Sequence, residues 1–206
     1  MNIGGFQPFT LSDFPGKSSA IIFTQGCNFR CPFCHNGSLM PMKGVLIPED
    51  EVFSLLEKRR GKLDGVVITG GEPTLQPDLL TFLKKVKAMG FAVKVDTNGS
   101  NPHVVVDLLK EKVVDYIAMD IKAPLACYDR LAGVHVNGDA LAESIALIAS
   151  SGVDHEFRTT EVEALLSKED MVAIRALVPQ GSTYRVQVFR PEHAYSKSLC
   201  CAELCD

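Results

Sequence analysis

The residues best suited to do chemistry in this 206-residue chain are Cys27, Cys31 and Cys34, three thiols within eight residues. They follow an apolar run, Ala20-Ile21-Ile22-Phe23, that ends in Thr24-Gln25-Gly26. The run reads as a buried strand, and the cysteines as the loop leaving its C-terminal end. A loop can wrap three thiolates around one centre, whereas a strand would send alternate side chains to opposite faces. Three readings are open. The thiols could be buried or redox-paired. They could serve a structural zinc, which wants four ligands in a closed tetrahedron. His35 is the nearest fourth donor, but it adjoins Cys34, and neighbours in sequence rarely reach the same small ion. They could hold an iron–sulfur cube, which usually takes one cysteine per iron. Three cysteines on a cube leave one iron free to take a small molecule, an arrangement for chemistry rather than scaffolding.

The elements that would carry such a loop recur along the chain. Val66-Val67-Ile68 is a second apolar run and ends in Thr69-Gly70-Gly71-Glu72-Pro73. Glycines there let a backbone approach a ligand closely, but no lysine follows at phosphate-loop spacing. Phe91 to Val95 is a third run and ends in Asp96-Thr97-Asn98-Gly99, which alone is also a strong turn signal. Tyr116 to Met119 is a fourth and ends in Asp120-Ile121-Lys122, a charged pair that alone reads as a solvated rim. Phe157 to Thr160 belongs to a fifth, where Arg158 reads equally as half of a surface salt bridge, and Tyr184 to Phe189 is a sixth. Helical spacing separates them: Val52, Leu55 and Leu56 after Pro48-Glu49-Asp50; Leu79, Leu83 and Val86 before Gly90; Pro102 to Lys112; Leu141, Ile145 and Ile148; Lys168 to Leu177. Residues 1–18 read as a turn-rich N-terminal segment, 35–48 as a long connection and 125–138 as irregular. Strands alternating with helices imply a parallel sheet with the helices outside. Six units fall short of the eight of a closed barrel. The expected fold is therefore α/β, a partial (β/α)6 barrel in one domain over 1–206, open on one side, with function on the loops at the C-terminal ends of the strands.

Composition narrows the class. Hydrophobic residues are 46 % and charged residues 22 % of the chain, as in ordinary globular domains. The net charge is −4, from 21 basic and 25 acidic residues, with no basic stripe, so nucleic acid is not an expected partner. No apolar run approaches the ~18 residues of a membrane span, and Met1-Asn2-Ile3-Gly4-Gly5 lacks the features of a signal peptide. A cytoplasmic location is expected, with the seven cysteines as ligands or free thiols rather than disulfides.

Cys27-x-x-x-Cys31-x-Phe33-Cys34, with an aromatic residue before the last cysteine, resembles the cluster loop of radical S-adenosylmethionine enzymes. The resemblance implies a catalytic 4Fe-4S cluster on Cys27, Cys31 and Cys34, with Phe33 beside the cofactor. In that family the open iron chelates the methionine end of S-adenosylmethionine, and reduction yields a 5′-deoxyadenosyl radical. Gly70-Gly71-Glu72-Pro73 resembles the family segment that binds the methionine amino group. Asp13-Phe14-Pro15-Gly16-Lys17 is similar to the start of glycyl-radical-enzyme activases, in the form found in anaerobic ribonucleotide-reductase activating proteins. Asp96-Thr97-Asn98-Gly99 and Asp120-x-Lys122 fall in register with those activases. By that resemblance Lys122 meets the substrate carboxylate, and Asp120 with Asp96 and Thr97 holds a monovalent cation. Arg158 would fork onto the methionine carboxylate, and Phe189-Arg190-Pro191 resembles the closing motif near the adenosine.

The resemblance runs from about residue 4 to 191. It lacks the ferredoxin-like insertion of longer activases and leaves no room for a C-terminal auxiliary-cluster domain. It implies an activase that makes a glycyl radical on a partner, first of all an anaerobic ribonucleotide reductase, fed by a flavodoxin- or ferredoxin-type electron donor. Two alternatives stand beside it: a radical enzyme acting on a small molecule, like a deazapurine synthase, and a non-catalytic zinc or iron–sulfur binding module. Residues 192–206 form a cysteine-rich tail with Cys200, Cys201 and Cys205. They read as thiols on a frayed end, a second metal site or a partner contact.

Overall fold

The computed structural model describes residues 1–200. Its strands are β1 (Ile3–Phe14), β2 (Lys17–Thr24), β3 (Gly65–Gly70), β4 (Ala92–Thr97), β5 (Tyr116–Asp120), β6 (Asp154–Glu161) and β7 (Thr183–Val188). The helices are α1 (Glu49–Glu57), α2 (Leu79–Ala88), α3 (Pro102–Lys110), α4 (Tyr128–Ala132), α5 (Gly138–Ser150), α6 (Lys168–Leu177) and the short α7 (Lys197–Cys200). Cys201 and Cys205 lie outside the described residues, and Cys200 is described only by its place in α7.

All seven strands form one sheet in the order of the chain, with β2 to β7 parallel. These six are the strands expected from the sequence, each followed by a helix. β1 was not expected. It occupies the stretch read as turn-rich and pairs antiparallel with β2. Gly4, Gly5 and Pro8 hid it, but an edge strand tolerates such residues because it has one hydrogen-bonding partner and can break register. Its register does shift, between Ile3 and Gly5, between Gln7 and Thr10, and between Thr10 and Phe14. The segment read as irregular also contains a helix, α4, which ends at the left-handed Gly133.

Alternation along each strand splits the sheet into two faces. Ile22, Ile68, Val93, Val95, Ile117, Met119 and Phe157 join helix residues such as Leu56, Leu83, Leu108 and Ile145 in the main core. On the other face Phe14, Ile21 and Val67 make a separate apolar cluster. That face changes character along the sheet. Val67 neighbours Lys94, Asp96 neighbours Ala118, Ala118 neighbours Glu156, and Asp120 neighbours Arg158. The inner face is thus apolar at β2 and β3 and charged from β4 to β6. One cavity of about 380 Å³ is lined from Asp13 on β1 to Gln187 on β7, so the sheet curls around it. The two edge strands are not hydrogen-bonded to each other, which leaves the barrel open.

Candidate active site

The cysteine loop leaves β2 and is held at its stem by the segment that follows it. Gly26 N donates to Leu39 O at 2.7 Å and Cys27 N to Met40 O at 3.0 Å. The buried Gln25 fixes that segment: its Nε2 faces Ser38 O at 3.2 Å, Pro41 O at 2.6 Å and Lys43 O at 3.1 Å. On the far side Arg30 N donates to Ala132 O at 2.7 Å. A Cβ at Gly133 would sit 2.5 Å from Arg30 O, so α4 docks on the loop through a residue that must be glycine. After β7 the chain returns to the same loop. Tyr195 N donates to Cys34 O at 3.0 Å and Ser196 N to Pro32 O at 2.8 Å, while His35 stacks on Phe189 with centroids 5.7 Å apart.

The glycines of the second motif approach protein backbone rather than open space. A Cβ at Gly71 would lie 2.0 Å from Gly26 O, and Gly70, with φ of +113°, passes against Thr24. Gly71 N donates to Thr24 O at 2.9 Å and Glu72 N to Gly26 O at 2.8 Å. Cysteine loop and glycine turn are therefore one packed unit.

Glu72 is 1 % exposed, and its carboxylate is fully engaged within the protein. Oε1 accepts from Thr74 N at 3.0 Å, Thr74 Oγ1 at 2.5 Å and Thr97 Oγ1 at 2.8 Å, and Oε2 accepts from Asn98 N at 2.7 Å. Burial pushes this carboxyl up, while the four hydrogen bonds, which favour the anion, pull it back. Glu72 thus ties the loop after β3 to the loop after β4. Asn98 extends the tie: its Nδ2 donates to Asn28 Oδ1 at 2.9 Å, inside the cysteine loop, and Asn28 Nδ2 donates to Ser100 Oγ at 2.8 Å.

The charged wall is an alternating chain. Lys94 Nζ pairs with Asp96 Oδ1, Arg158 reaches Asp96 Oδ2 at 3.3 Å and Asp120 Oδ1 at 2.8 Å, and Lys122 Nζ lies 3.4 Å from Asp120 Oδ2. Burial works to raise the Asp120 carboxyl, but Arg158 and Lys122 outweigh it and hold it at about 2. Burial likewise works against the charge on Lys122, and Asp120 more than restores it.

Most residues singled out by motif line this one cavity: Cys27, Cys31, Phe33, Cys34, Gly70, Gly71, Glu72, Asp96, Thr97, Asn98, Asp120, Lys122 and Arg158; Pro73, Gly99 and the closing Phe189-Arg190-Pro191 do not. Sequence reasoning missed Gln25, Asn28 and Lys94. Asn28 sits in the variable part of a motif, and Lys94 reads as an ordinary strand residue until β4 is seen from inside. Gln25 gave no signal beyond its place before Gly26.

Three thiols lining one cavity are the donor number that a 4Fe-4S cube with one open iron would take. The three thiols share the cavity, yet among the described residues no three His, Cys, Asp or Glu side chains converge on one ion site. A zinc would gather four ligands within about 2.3 Å. Burial pushes the Cys27 thiol up to about 11 and Cys31 up to about 12, and raises Cys34 as well. Burial thus favours the protonated thiols, and a metal held there would have to displace their protons.

Residues 21–170 match the family model of the Radical SAM superfamily. A glycyl-radical enzyme activating enzyme of Methanocaldococcus jannaschii, a name that is itself provisional, is 34 % identical over 202 residues, 96 % of this chain and 83 % of that one. The pyruvate formate-lyase-activating enzyme of Clostridium pasteurianum is 32 % identical over 126 residues, 58 % of this chain and 52 % of its own length. 7-carboxy-7-deazaguanine synthases match over shorter stretches than the Methanocaldococcus protein. Among solved structures, Streptococcus suis SuiB bound to its precursor peptide SuiA superposes with a TM-score of 0.67 at 18 % identity, over 86 % of this chain and 40 % of SuiB. Among the described residues no helix is long and apolar enough to cross a membrane. The chain belongs to the radical SAM superfamily, whose cofactors are a 4Fe-4S cluster and S-adenosylmethionine.

Proposed function

We propose that this enzyme activates a glycyl radical enzyme, with an anaerobic ribonucleotide reductase as the first candidate partner and a flavodoxin- or ferredoxin-type protein as the electron source. The observation that supports the reading is the 34 % identity to a glycyl-radical activating enzyme over nearly the whole chain. The Asp13-Phe14-Pro15-Gly16-Lys17 segment, whose Asp13 lines the cavity, argues for the ribonucleotide-reductase branch. When bound and reduced, the cluster and S-adenosylmethionine would supply the hydrogen-abstracting chemistry that a glycine Cα of the partner requires.

The chain's own residues hold and orient. Cys27, Cys31 and Cys34 would hold the cluster, and three thiolates would leave it room for a further ligand. Lys122 and Arg158 present positive charge to a carboxylate, and carbonyls of the glycine turn suit an ammonium, which only donates. β1 and β7 are not hydrogen-bonded to each other, and a sheet left unclosed suits entry of a loop extruded from a protein partner. Abstraction demands near contact between that loop and the radical carbon, so the partner must dock specifically.

Lys122→Ala is expected to weaken S-adenosylmethionine binding about ten- to a hundredfold, the worth of one hydrogen bond to a charged group, without loss of iron. Asp120 keeps Arg158 in that variant, so the fold should hold. Equilibrium dialysis with the reconstituted protein decides; wild-type affinity would remove Lys122 from the binding role.

The function itself is tested anaerobically with reductant, S-adenosylmethionine and a candidate glycyl radical enzyme from the same cell. The expected products are 5′-deoxyadenosine and a glycyl doublet in electron paramagnetic resonance. The doublet should vanish when the partner's glycine is changed to alanine. Turnover of a small metabolite, with every glycyl radical enzyme left unactivated, would instead favour the small-molecule reading.

A further inference from the structure

The monovalent cation expected between Asp96, Thr97 and Asp120 does not fit the site as built. A hard cation needs oxygen ligands that other charges have not claimed. Among the described residues, all four carboxylate oxygens of Asp96 and Asp120 face a cationic side chain. Lys94 takes Asp96 Oδ1, Arg158 spans Asp96 Oδ2 and Asp120 Oδ1, and Lys122 faces Asp120 Oδ2. Thr97 Oγ1 is engaged as well, donating to Glu72 Oε1 at 2.8 Å and accepting from Gly99 N at 3.1 Å.

Lys94 is the unusual member. It lies two residues before Asp96 on the same face of β4, is 1 % exposed, and meets no solvent. A buried ammonium is costly unless it is paired, and Asp96 is its partner. Glu156, which also acts on Arg158, is matched by Arg185 at 3.2 Å, so Asp96 and Asp120 against Lys94, Arg158 and Lys122 leave one positive charge over, enough to attract a ligand carboxylate. A metal ion would add a second in a low-dielectric site already crowded with cations.

We propose that Lys94 is the built-in cation of this site: its ammonium stands where a monovalent metal ion would act on Asp96, so the chain binds S-adenosylmethionine without potassium or sodium. Lys94 is a positioning residue. It touches no ligand and acts through Asp96, which orients Arg158, which in turn shares Asp120 with Lys122. The proposal needs only the superfamily's cofactor and stands whatever the radical's substrate is.

The test uses anaerobically reconstituted holoprotein in KCl, NaCl or choline chloride at equal ionic strength. S-adenosylmethionine affinity and the thermal midpoint are both measured. For the wild type, affinity is expected to agree within about twofold across the three salts, well under the tenfold that one charged hydrogen bond is worth, and the midpoint should not move. Lys94→Met is expected to bind about tenfold or more weakly in choline chloride. Potassium or sodium should restore part of that loss and raise the variant's midpoint, since a small ion can then enter beside Asp96. Rescue by an ion is a response that a packing role for Lys94 would not produce. A wild type whose affinity or midpoint rises clearly in potassium or sodium over choline overturns the proposal. So does a Lys94→Met protein that binds normally in choline, or one that neither ion rescues. If Lys94→Met does not fold, the wild-type salt series decides alone, and Lys94→Arg, which keeps the charge, should remain salt-independent.

Discussion

Cys31→Ala protein, reconstituted anaerobically, should lack the visible absorption of an iron–sulfur cluster, while the wild type takes up about four irons per chain. Cys31 is the most buried of the three thiols, and among the described residues no group of three or more His, Cys, Asp or Glu side chains offers a replacement ion site. The substitution removes one sulfur, so the apoprotein's stability should change by only about 1 kcal/mol, and loss of iron cannot be put down to unfolding. Cys127→Ala is the matched control. Its Sγ faces Pro124 O at 3.7 Å and it does not line the cavity, so that variant should keep its iron. A full cluster in the Cys31 variant would remove the assignment of the ligands.

Glu72→Ala should be among the most destabilising single changes in the molecule, on the order of 3–5 kcal/mol, the range for breaking a buried charged network from one side. It orphans Thr74 N and Asn98 N together with the hydroxyls of Thr74 and Thr97. Measured on the apoprotein, the urea midpoint should fall by about 1–2 M, given a slope of roughly 2–3 kcal/mol/M. Glu72→Gln should recover only part of this, because an amide presents either an oxygen or an NH2 to Asn98 N and cannot accept on both sides. The same numbers separate two roles. If Glu72→Ala unfolds at the wild-type midpoint and loses only S-adenosylmethionine affinity, the carboxylate meets the ligand and the network does not carry the two loops.

That distinction marks how far the sequence could be read. The motif residues after β2 to β5 were legible because they fall at the C-terminal ends of apolar runs, and the structure brings most of them to one cavity. Their contacts were not legible. Gly70 and Gly71 announced a close approach, but the neighbour is the backbone of Thr24 to Gly26. Glu72 announced a carboxylate, but its four donors come from the turn it begins and from the next strand's loop. β2 to β5 showed as apolar runs since their outer faces pack under helices, whereas β6 and β7 are more polar and show through alternation. β1 did not, since its residues alternate poorly, its register shifts three times, and it has a neighbour on one side only. Lys94 stayed hidden because a lysine in a strand normally points to water, and only curling of the sheet turns that side of β4 inward.

The match between strand order and chain order also bears on how the protein comes to be made. No strand has to be threaded between two that are already paired, so each β/α unit can settle against its predecessor as it emerges during synthesis. The cysteine loop belongs to the second strand and appears early. The segment with Tyr195 and Ser196, which closes over Pro32 and Cys34, appears late. Until that segment has emerged, Pro32 and Cys34 lack its backbone contacts, so an iron carrier would meet the thiols with less in its way before the chain is finished.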